Sequence, residues 1–143
     1  MFIEMNLGDT AEPKPVSSGR YALTIADAKY REAKKDIQVS IGIDGHLDAP
    51  NISHYISLPK PEDDAGKAGF KRLMLKRFLE QFGIPYDDIK GFAVEDFSGA
   101  KAASVQVNLS EPDAETGAVY NRVNLDKLVN EPERQVTTVS KKR

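Results

Sequence analysis

"ISHYISLPKPEDDAGKAGFKRLMLKRFLEQFG" (Ile52 to Gly83) changes its hydrophobic period halfway along, and that change decides the fold. In its first part Ile52, His54, Ile56 and Leu58 alternate with Ser53, Tyr55 and Ser57. Side chains of an extended chain point to opposite faces in turn, so this reads as a strand with one apolar side. "PKPEDD" ends it. From Ala65 onward Phe70, Leu73, Met74, Phe78 and Phe82 recur at steps of three and four, with Leu75 and Leu79 widening the stripe. Lys67, Lys71, Arg72, Lys76 and Glu80 take the other side. The pattern predicts an amphipathic helix over Ala65 to Gly83, with Gly83 as its stop.

Working upstream, Ile37, Val39, Ile41 and Ile43 alternate without a break against Gln38, Ser40 and Gly42. This is the clearest strand in the chain. Before it, Tyr21, Leu23 and Ile25 alternate with Ala22, Thr24 and Ala26, which predicts a strand over about residues 20–31. "REAKKD" and "DGHLDAPN" are the turns between. Residues 1–18 hold a small apolar alternation (Ile3, Met5, Leu7) and then "AEPKPVSSG", an arm followed by a Pro/Ser linker. Working downstream, "IPYDDIKGFAVEDFSGA" is a compact connection with room for one helical turn. Val105, Val107 and Leu109 predict a fourth strand, "SEPDAETGA" a hairpin loop, and "GAVYNRVNLDKL" (Gly117 to Leu128) a fifth. Residues 130–143 lose apolar content and read as a flexible tail. The body is one domain over residues 19–129.

Three strands, one helix and two strands is the element order of the five-stranded Greek-key barrel called the OB-fold. Closing the strands into a barrel removes exposed edges, and a helix between strands three and four plugs one end. A mixed sheet with one helix on its face is the alternative. At 143 residues the chain buries roughly two-thirds of its unfolded surface. One core therefore suffices without covalent staples.

With no cysteine, disulfides, thiolate metal sites and cysteine nucleophiles are excluded. His46 and His54 are too few for a histidine-based metal site, and no cofactor is expected. No apolar run approaches about 18 residues, so a soluble, intracellular protein without a membrane partner is expected. The net charge of −2 argues mildly against a nucleic-acid partner. The charge is segregated, however. Lys67 to Phe78 holds five basic residues and no acidic one, while acidic residues gather at Glu62 to Asp64, Asp87 to Asp88 and Glu111 to Glu115.

Ordered motifs then point to a family. A proline-rich hinge leads into "G-x-Y-x-L-x-I-x-D-A" (Gly19, Tyr21, Leu23, Ile25, Asp27, Ala28). The helix ends "L-x-x-F-G-I" (Leu79, Phe82, Gly83, Ile84), and "Y-N-x-V" (Tyr120, Asn121, Arg122, Val123) follows. In this order, over roughly residues 1–128, the chain resembles the single-stranded-DNA-binding proteins of bacteriophages and prophages. The resemblance implies an OB-fold that coats single-stranded DNA in phage replication or recombination, in the cytoplasm of an infected bacterium. Phage replication or recombination proteins would be its partners. Many such proteins end in an acidic, partner-recruiting tail, whereas this chain ends "SKKR".

Single strands are held by cations along the phosphates and by aromatic rings under the bases. Tyr30, Tyr55 and Tyr120 fall on the polar phase of their predicted strands, where each is either a base platform or an ordinary solvated strand residue. Arg122 and Asn124 share the Tyr120 face. Lys29, Arg31, Lys34 and Lys35 fall at the end of the first strand and its turn, which flanks the ligand groove in OB-folds. These are the candidate nucleic-acid residues. Tyr21 is in the apolar phase and belongs to the core, and the helical cations read as a solvated face. His54 is also in the apolar phase, a barrel-edge residue rather than a ligand.

Catalytic readings find no support. Glycine-rich phosphate loops, H-E-x-x-H and G-x-S-x-G are all missing. Asp63-Asp64 and Asp87-Asp88 sit in proline-flanked loops without a third carboxylate at a fixed spacing, so no metal is expected. The protein reads as a non-enzyme. A protein-interaction module, a subunit or inhibitor in a phage assembly, is the competing reading. The arm supports it, because Ile3, Met5 and Leu7 can add a strand to a sheet edge, including that of another copy.

Overall fold

The computed structural model describes residues 1–8 and 14–128. The predicted tail (130–143) and part of the predicted arm and linker (9–13) lie outside the described residues.

Five strands form one antiparallel sheet in the order β3-β2-β1-β6-β7. Their ranges are β1 Gly19–Arg31, β2 Asp36–Ile43, β3 Ile52–Ser57, β6 Lys101–Leu109 and β7 Asn121–Asn124. β3 and β7 end that order, and they lie against each other without a shared ladder. The sheet is therefore a nearly closed barrel, and helix α1 (Ala65–Gln81) falls between its third and fourth strands. This is an OB-like architecture, as the element order predicts. The connection after the helix holds a small hairpin, β4 Tyr86–Asp87 with β5 Gly91–Phe92, and a 3-10 turn at Val94–Asp96.

The interior face is the apolar phase of the sequence. Leu23, Ile25, Ile37, Val39, Ile41, Ile52, Ile56, Val105 and Val107 are all buried. The helix closes the end with Phe78, whose ring stacks on Phe82 at 4.6 Å, His54 at 5.3 Å and Phe97 at 5.7 Å. Asp64 caps its N-terminus by accepting from the Lys67 amide at 2.7 Å. Gly83 ends it in a left-handed conformation (φ 61°), with Gly83 N donating to Glu80 O and Ile84 N to Leu79 O. That paired closure puts Ile84 on Leu79, both buried.

Two departures from regular alternation shape the barrel. The β1–β2 register slips between Ile25 and Asp27, making Ala26 an extra residue on β1. The β1–β6 register slips between Tyr21 and Leu23. Such bulges bend the strand that carries the extra residue: the first bends β1, and the second, with Ala103 and Ser104 opposite Ala22, bends β6. The fourth strand begins earlier than its apolar alternation, at Lys101, and the fifth is shorter than predicted. Asp113 and Gly117 (φ 72°) hold residues 113–118 as a turn, leaving only Asn121–Asn124 to pair.

Candidate nucleic-acid interface

Register fixes which side chains share a face, because directly paired residues point the same way. Along β1, β2 and β3 the inner rows are Ala28–Val39–His54 and Tyr30–Ile37–Ile56. The outer rows are Lys29–Gln38–Tyr55 and Arg31–Asp36–Ser57. Lys29, Arg31 and Tyr55 are thus neighbours on the outside of the barrel. The guanidinium of Arg31 lies 4.8 Å from the centre of the Tyr55 ring. Arg31 also donates to both oxygens of Asp36, at 2.8 and 2.7 Å. That guanidinium holds the Asp36 carboxyl below its ordinary range, against the opposing effect of burial. Asp36 therefore stays charged and fixes Arg31 over the ring.

Tyr30 departs from the expectation. Regular alternation places it on the Tyr55 face, but the extra residue Ala26 shifts the phase of the rest of β1. Tyr30 pairs with the buried Ile37 and points to the inner side, at the rim, where it is 43% exposed. The same shift moves Lys29 and Arg31 to the outside. Lys34 and Lys35 are exposed in the β1–β2 turn, with Lys35 in a left-handed conformation (φ 52°).

A second cation–ring pair sits at the other end of β1, beside the loop that joins β6 to β7. Tyr120 continues the β6–β7 pairing through Ser110, whose amide donates to Tyr120 O at 2.8 Å. Arg122 lies opposite Asn108 on the outer face, since the adjacent Val107–Val123 row points inward. The Arg122 guanidinium is 5.1 Å from the Tyr120 ring centre and donates to the Tyr120 hydroxyl at 2.6 Å. Among the described residues no ion pair takes Arg122, in contrast to Arg31. Tyr55 and Tyr120 are half exposed, at 49% and 50%. Asn124, next along the outer row of β7, lines one cleft with Tyr55. A cation–ring–amide surface therefore runs from Tyr120 through Arg122 and Asn124 to the seam beside Tyr55.

Other candidates take structural roles. The Asp63 carboxylate accepts from Lys71 Nζ at 2.7 Å and from the Lys60 amide at 2.8 Å. Asp87 accepts from the Ile89 and Lys90 amides to form a turn, and Asp88 pairs with Lys76 at 3.4 Å. Among the described residues no three His, Cys, Asp or Glu side chains gather as a metal site. No described helix is long and apolar enough to cross a membrane. Tyr21 packs against the core and donates its hydroxyl to Ser17 O at 2.7 Å. Asp36 and the bulge are what sequence reading missed. The only local signal for the bulge is the "IADA" run, where two small residues replace the large apolar alternation.

Compared with protein-family models and with curated proteins, the chain finds no match.

Proposed function

We propose that this protein is a non-enzymatic, sequence-tolerant binder of single-stranded DNA, acting in phage replication or recombination inside an infected bacterium. The observation that carries the reading is the pair of half-exposed tyrosines, each touched by an arginine, on the outside of an OB-like barrel. One lies by the β1–β2 turn and one by the β6–β7 loop, the regions that border the ligand face in this architecture. In this reading Tyr55 and Tyr120 stack on bases. Lys29, Arg31, Lys34, Lys35 and Arg122 hold phosphates, and Tyr30 contributes at the rim.

Titration of a fluorescent oligo(dT) across salt tests it. With about four phosphates neutralised, log affinity falls against log salt with a slope near −3. Tyr55→Ala and Tyr120→Ala each weaken binding by about 1–3 kcal/mol. A flat salt response, or unchanged affinity in both variants, removes the reading. The exposed apolar arm favours the second reading, a protein-interaction module, and absence of binding at low salt selects it.

A further inference from the structure

β3 and β7 meet without a ladder, and a cleft of about 300 Å³ lies over their seam. Ligand sites run from about 300 to 1,000 Å³, so this one suits a single ring system rather than an extended molecule. Its apolar lining comes from three elements: Ile56 of β3, Met74 of α1, and Val123 and Leu125 at β7. No aspartate or glutamate among the described residues lines it, so nothing there repels a phosphate at the mouth. Polar side chains line it too. Among the described residues no hydrogen bond takes the His54 imidazole, the Ser57 hydroxyl or the Asn124 side-chain amide. His54 stacks its ring face on Phe78, a contact that leaves both ring nitrogens without a partner. Burial pushes its pKa down to about 4, so near neutral pH one nitrogen donates and the other accepts.

The cleft is continuous with the outer surface of the barrel, because Tyr55 and Asn124 belong to both. Given the single-strand reading of that surface, we infer that the cleft takes one nucleobase, turned out of the strand that crosses Tyr55. Bases that leave the stack are held between apolar or aromatic side chains, with polar groups at their hydrogen-bonding edge. Ile56, Met74, Val123 and Leu125 supply the apolar walls here, and His54 and Asn124 the partners for the edge.

Such a pocket is compatible with sequence tolerance. An amide and a neutral imidazole each carry both a donor and an acceptor, and either can be presented by an amide flip or a change of tautomer. Different bases therefore find a match in the same place. An apolar side chain of a partner protein is the other occupant that the walls admit, and it predicts a cleft that does not respond to DNA.

Methionine-methyl NMR of the full wild-type chain is the test. The sequence holds three methionines, Met1 and Met5 in the exposed arm and Met74 in the cleft, so a methyl label reads the cleft through one signal, assigned with Met74→Leu. Fluorescence anisotropy of the same strands reports binding independently. Oligo(dT) shifts the Met74 signal in proportion to the bound fraction. An abasic strand of equal length, which keeps the phosphates and lacks the bases, leaves that signal in place even when bound at low salt. Met74→Trp fills the cleft, and it weakens oligo(dT) binding about tenfold, one base contact's worth, with the salt slope unchanged. The methyl readout uses the wild type, so it stands whether or not this variant folds. Oligo(dT) that binds by anisotropy without moving Met74 overturns the base pocket and leaves the single-strand reading standing. An abasic strand that moves Met74 as far as oligo(dT) does also overturns it. Oligo(dT) that fails to bind at low salt removes both.

Discussion

Arg31 is the most constrained cation on the proposed interface, held by Asp36 and laid against Tyr55. Its charge is largely spent on Asp36, while Arg122 faces no carboxylate among the described residues. Asp36→Asn therefore returns a full positive charge to the surface beside Tyr55. Binding of oligo(dT) should tighten at low salt, and the salt slope should steepen by about 0.7, one phosphate's worth on a single strand. An unchanged slope would place Arg31 outside the path of the strand. His54 makes a different prediction. Burial pushes its pKa down to about 4 from 6.5, so the folded protein keeps the imidazole neutral where the unfolded chain takes up a proton. Between those values the unfolded state binds more protons, and stability falls as the pH drops. The slope reaches at most about 1.4 kcal/mol per pH unit, and it vanishes below the lower value. Urea denaturation of wild type and His54→Phe across this window isolates the effect as a difference between them. Parallel curves would show that His54 does not titrate on unfolding. At this scale the sequence is uneven to read. Tyr120 and Arg122 stand two apart on one short strand, so their shared face is visible in the letters. The contact of Arg31 with Tyr55 joins β1 to β3 and depends on a register that no local pattern prints.

Elements were legible wherever a single period ran unbroken. Ile37 to Ile43 alternates cleanly, and β2 follows it almost residue for residue. α1 follows the three-and-four spacing to its stop at Gly83, because a left-handed residue ends a helix at little cost only when it lacks a Cβ. Ala placed at Gly83 meets no atom within 4 Å, so its effect is purely conformational. Gly83→Ala should cost about 1–2 kcal/mol in urea denaturation, with an unchanged dependence on urea. No loss of stability would mean that the closure relaxes to another conformation. The bulge in β1 was not legible, and the reason is physical. A phase shift shows in sequence only when large side chains stand on both sides of it. Here Ala26 and Ala28 flank Asp27, and alanine is tolerated on either face. Every residue after it, Lys29, Tyr30 and Arg31 included, therefore changes face relative to simple alternation. The length of β7 was hidden for a related reason: Val119 continues the apolar pattern, but the turn at residues 113–118 decides where pairing begins.

The whole molecule depends on how its seam is held, since β3 and β7 share no ladder. Two side-chain ties stand near it. Arg20 grips Asp126 at 2.6 Å and Ser104 O at 2.8 Å, and the Gln81 side-chain oxygen Oε1 accepts from the Asp126 amide at 3.0 Å. β1, α1 and the chain after β7 are joined there. Asn121 forms the other tie. Its side-chain oxygen accepts from Val16 N at 2.9 Å, and its side-chain nitrogen donates to Val16 O at 2.8 Å. A buried amide that answers both polar groups of one residue works like a ladder step where no strand exists. Its removal leaves Val16 N–H and C=O without these partners, a loss of about 1–3 kcal/mol. Asn121→Ala should therefore free residues 14–18 before it frees the barrel. Hydrogen exchange separates the two outcomes. The Val16 amide should exchange faster by more than the change in global stability allows, while Ile37 and Val39, in the buried centre of the sheet, slow or quicken only with that global change. Equal acceleration at Val16, Ile37 and Val39 would show instead that the strap and the barrel open as one unit, and that the seam is no weaker than the core it closes.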